Sequence, residues 1–240
     1  MDAVRLPKDI YFTHRVMQNE QPDIHILGHW SYPAGPDAKK TVKTIYVIAN
    51  TQSVELFVNG KSAGVNSQPV SGYIFEFPNV EFAPGSLKAV AMNDGKAVAQ
   101  EEMATAGPPA QIKLTPIAGP QGLQADGQDV ALIDVEVLDA NGHRVSTDDD
   151  RIDFTVAGPG VWRGGYNSGK IDTTNNLYLN TEAGINRVSV RSTLTAGTIT
   201  VTASRRGLKS AQITLVAKPV KIVDGLAATV PQHLPGPAEK

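Results

Sequence analysis

The side chains able to do chemistry in this 240-residue chain are few and scattered. Of the five histidines, His14, His25, His29, His143 and His233, only His25 and His29 are near neighbours. In an extended segment their separation of four puts them on one face but roughly 13 Å apart at about 3.3 Å per residue, too far to share a zinc ion unless the strand bends. Cysteine is absent, which excludes disulfides and thiolate metal sites. Asp148-Asp149-Asp150 offers the clustered hard oxygens that calcium takes, but the EF-hand spacing and its glycine are missing, and the run reads as a solvated loop. Glu101 and Glu102 alternate faces at a strand end and read as surface charge. No serine stands in a nucleophile elbow with histidine and acid partners. The expectation is a chain with no catalytic residues, no metal and no cofactor of its own.

The aromatic residues are the better binding candidates. Trp30 with Tyr32, and Trp162 with Tyr166, could stack on sugar rings, and Tyr178 belongs with the second pair; all three second-half aromatics read as loop residues. The competing reading makes them caps on a sandwich core or parts of an interface, as strand-edge aromatics commonly are. A formal net charge of -2 gives no general attraction for nucleic acid or anionic lipid. No apolar run approaches the roughly 20 residues of a membrane span, and Asp2, Arg5, Lys8 and Asp9 deny the N-terminal residues the character of a signal peptide. Neither nucleic acid nor membrane is an expected partner.

The elements that must position these residues are short strands. Only residues 7–19 suggest a helix: Pro7 suits a first turn, and Ile10, Tyr11, His14 and Met17 recur at roughly helical spacing. From residue 23 onward β-type segments follow one another: 24–27, 44–50, 53–60, 73–77, 87–93 and 97–103, divided by Asn59-Gly60, Pro78-Asn79, Pro84-Gly85 and Asn93-Asp94-Gly95. Val54, Leu56 and Val58 alternate with Glu55, and Asn59-Gly60 is a strong hairpin turn because both residues tolerate positive φ. Ala106-Gly107-Pro108-Pro109 marks a boundary, since two prolines remove ladder donors and stiffen a connector. Beyond it, 129–139, 152–156, 186–191, 197–204 and 211–217 supply at least five more strands, with Ala131, Ile133, Val135 and Val137 on one face. The spacing predicts an all-β protein of two tandem sandwiches. Residues 1–22 form a helix and linker, 23–106 the first sandwich, 107–218 the second, and 219–240 a Gly/Ala/Pro-rich tail or linker.

Several motifs in a fixed order resemble one family. Val54-Glu55-Leu56-Phe57-Val58-Asn59-Gly60-Lys61-Ser62-Ala63-Gly64 is similar to a strand-turn-strand in the sandwich that follows the catalytic barrel of family 2 glycoside hydrolases of the β-galactosidase type. Pro7-Lys8-Asp9-Ile10-Tyr11 resembles the helix that closes that barrel, and His25-Ile26-Leu27-Gly28-His29-Trp30 resembles the opening of the first C-terminal sandwich, with Gly28 in place of a usual proline. Ala125-Asp126-Gly127-Gln128-Asp129 and Gly158-Pro159-Gly160 resemble the last Ig-like domain of the family, whereas Arg163-Gly164-Gly165-Tyr166-Asn167-Ser168-Gly169 departs from it. The likeness runs from about residue 5 to 217.

The resemblance implies two Ig-like sandwiches and a helix left over from a (β/α)8 barrel. It places the two catalytic carboxylates of a retaining glycosidase in that barrel, which takes about 250 residues and has no counterpart here. Asn19-Glu20 imitates the acid/base dipeptide but follows the terminal helix. The function it implies is a non-catalytic accessory region that supports the barrel of a bacterial periplasmic or secreted glycosidase and shapes substrate access or oligomer contacts. His29 and Trp30, then Tyr32, Trp162 and Tyr166, are its expected barrel-interface or glycan-contact residues. Ile10, Tyr11 and Met17, deprived of a barrel, are expected to dock on the first sandwich or drive self-association. Two other functions remain open: a carbohydrate-binding module taking β-linked glycans on the aromatics, and a bacterial Ig-like adhesive module, against which the upstream helix motif speaks.

Overall fold

The computed structural model describes residues 4–32, 41–169, 173–223 and 226–227. They form an all-β sandwich architecture with one short helix. The chain divides into two compact units, Met1–Gly107 and Pro108–Lys240.

In the first unit, α1 (Asp9–Gln18) leads to β1 (Ile24–Ile26), β2 (Val42–Ala49), β3 (Ser53–Val58), β4 (Lys61–Asn66), β5 (Ile74–Glu81), β6 (Ser86–Asn93) and β7 (Lys96–Ala104). A three-stranded sheet ordered β1-β2-β5 faces a four-stranded sheet ordered β4-β3-β6-β7. Alternation does the sorting: Val54 and Leu56 on β3, and Leu87, Ala89 and Ala91 on β6, meet Val47, Phe75 and Phe77 from the opposite sheet in one dry core. The Asn59-Gly60 turn joins β3 to β4 with φ of 50° and 77°, the two positive values that a tight hairpin of this hand requires.

Two readings of this unit are corrected. Pro78-Asn79 does not separate strands but lies inside β5. Ile45 pairs with Phe77 and Lys43 with Val80, so Pro78 and Asn79 are accommodated opposite Thr44 in a bulge that needs no donor from proline and takes Asn79 at φ 60°. The helix starts at Asp9, and the spacing of Ile10, Tyr11 and Met17 misidentified its inner face. Those three are 57%, 40% and 45% exposed, while Val16 is fully buried and Phe12 half-buried one turn earlier. An amphipathic stripe at i and i+4 is equally satisfied by Phe12 and Val16, and the sandwich selects that one. The loop at 33–40 lies outside the described residues.

The second unit comprises β8 (Gln111–Ile117), β9 (Leu123–Gln124), β10 (Val130–Leu138), β11 (Arg151–Ala157), β12 (Gly160–Gly165), β13 (Tyr178–Asn180), β14 (Ile185–Ser192), β15 (Gly197–Ser204) and β16 (Ala211–Lys218). One sheet runs β12-β14-β10-β8 and the other β13-β11-β15-β16-β9, antiparallel except for the β16–β9 pair. Ala131, Ile133, Val135 and Val137 of β10 all point into the core, as their alternation required. The turn between β11 and β12 needs glycine at 158: φ is +92°, and a Cβ there would meet the Thr198 carbonyl oxygen at 2.1 Å. Of the tail, β17 (Ile222–Val223) and β18 (Leu226–Ala227) pair as a two-stranded ribbon; residues 224–225 and 228–240, His233 among them, lie outside the described residues.

Candidate functional site

The sequence-nominated aromatics fall into two separate groups, one in each unit. Trp30 is 1% exposed and belongs to the core of the first unit. Its ring meets Phe82 edge-on at 4.9 Å and Tyr32 at 6.1 Å, and its indole N–H donates to the Ala83 carbonyl at 3.1 Å. No face of Trp30 is open to a sugar ring. The backbone around it is also tied: Thr105 Oγ1 donates to the Trp30 carbonyl at 2.7 Å, and Ala106 N donates to Ser31 Oγ at 3.0 Å, fixing the end of the first unit against its beginning.

Tyr32 is half-buried, packed against this core, and His29 lies at its edge. His29 is exposed, its ring 4.7 Å from that of Tyr32, and its Nδ1 accepts from Ser31 N at 3.2 Å. Lys43 Nζ lies 4.6 Å from the Tyr32 ring centroid, and burial pushes the Tyr32 phenol up from its usual value. A Gly28 φ of 88° turns the chain after β1, so His25 and His29 do not share the face that a continuous strand would have given them.

In the second unit, Trp162 and Tyr178 were expected in loops and lie on strands β12 and β13. The glycines around Trp162 masked β12. A bulge between Trp162 and Gly164 lets Gly164 take φ +69° while Gly165 passes so near β14 that a Cβ would come within 2.4 Å of the Arg187 carbonyl. Trp162 is half-buried, tilted against Phe154 at 5.0 Å, and donates to the Asn176 carbonyl at 2.7 Å. Tyr166, just past β12, is exposed. Arg151 caps Tyr178, with its guanidinium carbon 4.0 Å from the ring centroid.

Two carboxylate readings change. Glu101 is no mere surface charge: Oε1 lies 3.1 Å from His25 Nδ1, and Oε2 accepts the Ile26 N–H at 2.6 Å. Asp148 is not a solvated loop acid. It is buried, takes both Arg205 nitrogens at 2.9 and 2.6 Å, and accepts from Thr181 Oγ1 at 2.5 Å. Burial alone would raise its pKa, but the Arg205 fork and the Thr181 hydroxyl outweigh burial and hold it below the usual carboxylate value. No local signal announced either role, because the partners are 76 and 57 residues away in sequence.

A groove of about 470 Å³ opens in the first unit between the β3–β4 turn and β5, lined in part by Val58, Lys61, Ser62, Pro78, Asn79 and Glu81. Among the described residues Glu81 is the only carboxylate on its wall and no aromatic ring lines it. A retaining glycosidase needs two carboxyl groups about 5 Å apart flanking a cleft. Among the described residues, the carboxylates that converge do so around a basic side chain: Asp9 and Glu101 flank His25, and Asp148 and Asp150 flank Arg205.

Fold and site together define a β-sandwich module whose polar clusters are spent on holding strands and helix in place. Its relatives say which family of such modules. The model of "Glycoside hydrolase family 2 C-terminal domain 5" matches residues 113–214, and that of "Domain of unknown function (DUF4982)" matches 40–99. A β-glucuronidase of Formosa agariphila is 49% identical over 97% of this chain, and the β-galactosidase BoGH2A of Bacteroides ovatus is 35% identical over 68%. A solved β-glucuronidase from glycoside hydrolase family 2 superposes with a TM-score of 0.90 at 48% identity over 98% of the chain, and a family 2 member from Bacteroides cellulosilyticus with 0.78 at 27% over 87%. This chain belongs to the C-terminal domains of glycoside hydrolase family 2. It spans 23% and 18% of the two curated relatives, and 24% and 30% of the two solved chains.

Proposed function

We propose that these sandwiches are a non-catalytic accessory region of a family 2 glycosidase, packing on its (β/α)8 barrel through the outward face of α1 and shaping access to the cleft or contacts between copies. The observation that carries this reading is α1 itself: its Phe12 and Val16 face is used against the first sandwich, while Ile10, Tyr11 and Met17 stand largely exposed on the outward side, Tyr11 touching only the edge of Phe12 among the described rings. An apolar helical face left exposed marks a surface that another body covers. The names of the relatives bear on the parent's substrate. The 49% identical relative is called a β-glucuronidase and the 35% identical one a β-galactosidase, so the reading takes a β-linked glucuronide or galactoside as the parent's substrate and does not prefer the galactoside. The chain by itself is expected to leave nitrophenyl β-D-glucuronide and β-D-galactoside intact. Turnover that follows the protein through purification and disappears in a Glu101→Gln variant would defeat the accessory reading.

Exposed Tyr166 and exposed His29, whose ring lies 4.7 Å from that of half-buried Tyr32, favour a second reading, in which the sandwiches bind the glycan that the parent cleaves. Titration calorimetry against β-linked oligosaccharides separates the two. Saturable heat that Tyr166→Ala or His29→Ala removes supports a binding module, and a silent panel rejects it.

A further inference from the structure

His25 is buried between the first sandwich and α1 with a carboxylate facing each ring nitrogen. Nδ1 lies 3.1 Å from Glu101 Oε1 of β7, and Nε2 lies 3.5 Å from Asp9 Oδ1 in the first turn of α1. The Phe12 ring, also from α1, stacks on the imidazole at 4.2 Å and 27°. The two carboxylates are themselves oriented by backbone: the second Glu101 oxygen accepts the Ile26 N–H, and Asp9 Oδ2 accepts the Gly28 N–H at 3.0 Å. Arg15 is a further charged group of the helix near this cluster. Its guanidinium carbon lies 5.1 Å from the Phe12 ring centroid, and its nitrogens donate to the Asp23 carboxylate at 2.8 and 2.9 Å.

A neutral imidazole has one N–H and would leave one of the two carboxylates facing a ring nitrogen lone pair; only the imidazolium has a proton for each. We propose that His25 is a charge latch: as an imidazolium bridging Asp9 and Glu101, it ties the first turn of α1 to β7, so that helix and sheet move as one body and the outer helix face keeps a fixed bearing on the sandwich. This does not depend on what covers that outer face. Elsewhere the helix is held near its C-terminal end, where Asn50 Nδ2 donates to the Asn19 and Gln21 carbonyls at 2.8 and 2.9 Å. The latch therefore governs the N-terminal half of α1.

Burial alone would depress the His25 pKa, but the Asp9 and Glu101 carboxylates overcome it and raise the group from 6.5 to about 9. A raised folded-state pKa means that the latch contributes in full below about 6.5 and is lost as the pH climbs through about 9.

The test is nuclear magnetic resonance on the full chain and its Asp9→Asn, His25→Gln and double variants. His25 is expected to remain protonated at pH 8, and Asp9→Asn should lower its titration midpoint. Asp9→Asn should also cut amide protection at residues 12–14, whose N–H groups close the first turn of the helix, by about tenfold or more while protection at Val54 and Leu56 stays unchanged. Added to His25→Gln, it should do little more. A midpoint near the ordinary histidine value would overturn the latch. So would an Asp9→Asn effect equally large with and without His25, because that is what loss of an acidic first-turn residue does to an isolated helix dipole.

Discussion

Trp30→Ala is expected to destabilise the first unit by about 3–5 kcal/mol, the range for removing a fully buried large aromatic from a core that cannot collapse onto the space. Trp30 stands among the largest fully buried side chains of the chain, with Phe82 and Tyr32 packed edge-on against it. The loss also strands the Ala83 carbonyl, which accepts the indole N–H, and loosens the segment whose carbonyl receives Thr105. Urea unfolding followed by circular dichroism should show the deficit in the transition assigned to the first unit, with Trp30→Phe intermediate because it refills part of the volume. A change below about 1 kcal/mol would mean that the ring is not core and would return Trp30 to the surface candidates.

Asp148→Ala is expected to cost the second unit a similar amount, about 3–5 kcal/mol, for a different reason. Its side chain is 2% exposed and that of Arg205 only 14%, so deleting the acid leaves a guanidinium with little access to water and the Thr181 hydroxyl without its carboxylate acceptor. Asp150, 4.0 Å from Arg205 and largely solvated, cannot replace a two-pronged contact. Because Asp148 has its pKa lowered from 3.8, its contribution is complete above that value and is lost as the pH falls through the lower folded-state value. The wild type should therefore shed stability in strong acid that Asp148→Ala has already lost, and thermal melts of the two proteins from pH 5 downward should converge. Parallel curves would show that the pair contributes nothing to the fold.

What the sequence disclosed, and what it hid, follows from the range over which each signal acts. The alternation in β10 and the Asn59-Gly60 hairpin are local rules, and they position their residues as the pattern required. Motif order carried the family. The Pro78-Asn79 bulge escaped because a bulge is defined by the partner strand, and its partner residue Thr44 is more than thirty positions earlier. The inner face of α1 escaped because Ile10, Tyr11 and Met17 and the pair Phe12 and Val16 are both acceptable stripes, and only the sheet beneath decides between them. Glu101 and Asp148 escaped for the same reason in electrostatic form. A carboxylate's role depends on which cation the fold brings to it, and neither His25 nor Arg205 is a sequence neighbour.

The most direct measurement of the central claim uses the 49% identical Formosa agariphila β-glucuronidase, with the region that aligns to this chain replaced by the chain itself. The accessory account predicts a folded, active chimera. In it, a combined Ile10→Glu, Tyr11→Glu and Met17→Glu substitution should lower the melting temperature by several degrees and reduce kcat, while the same substitution leaves the melting of the isolated chain unchanged. A chimera whose stability and activity ignore that substitution would contradict the claim that this face of α1 is where the sandwiches meet a catalytic barrel.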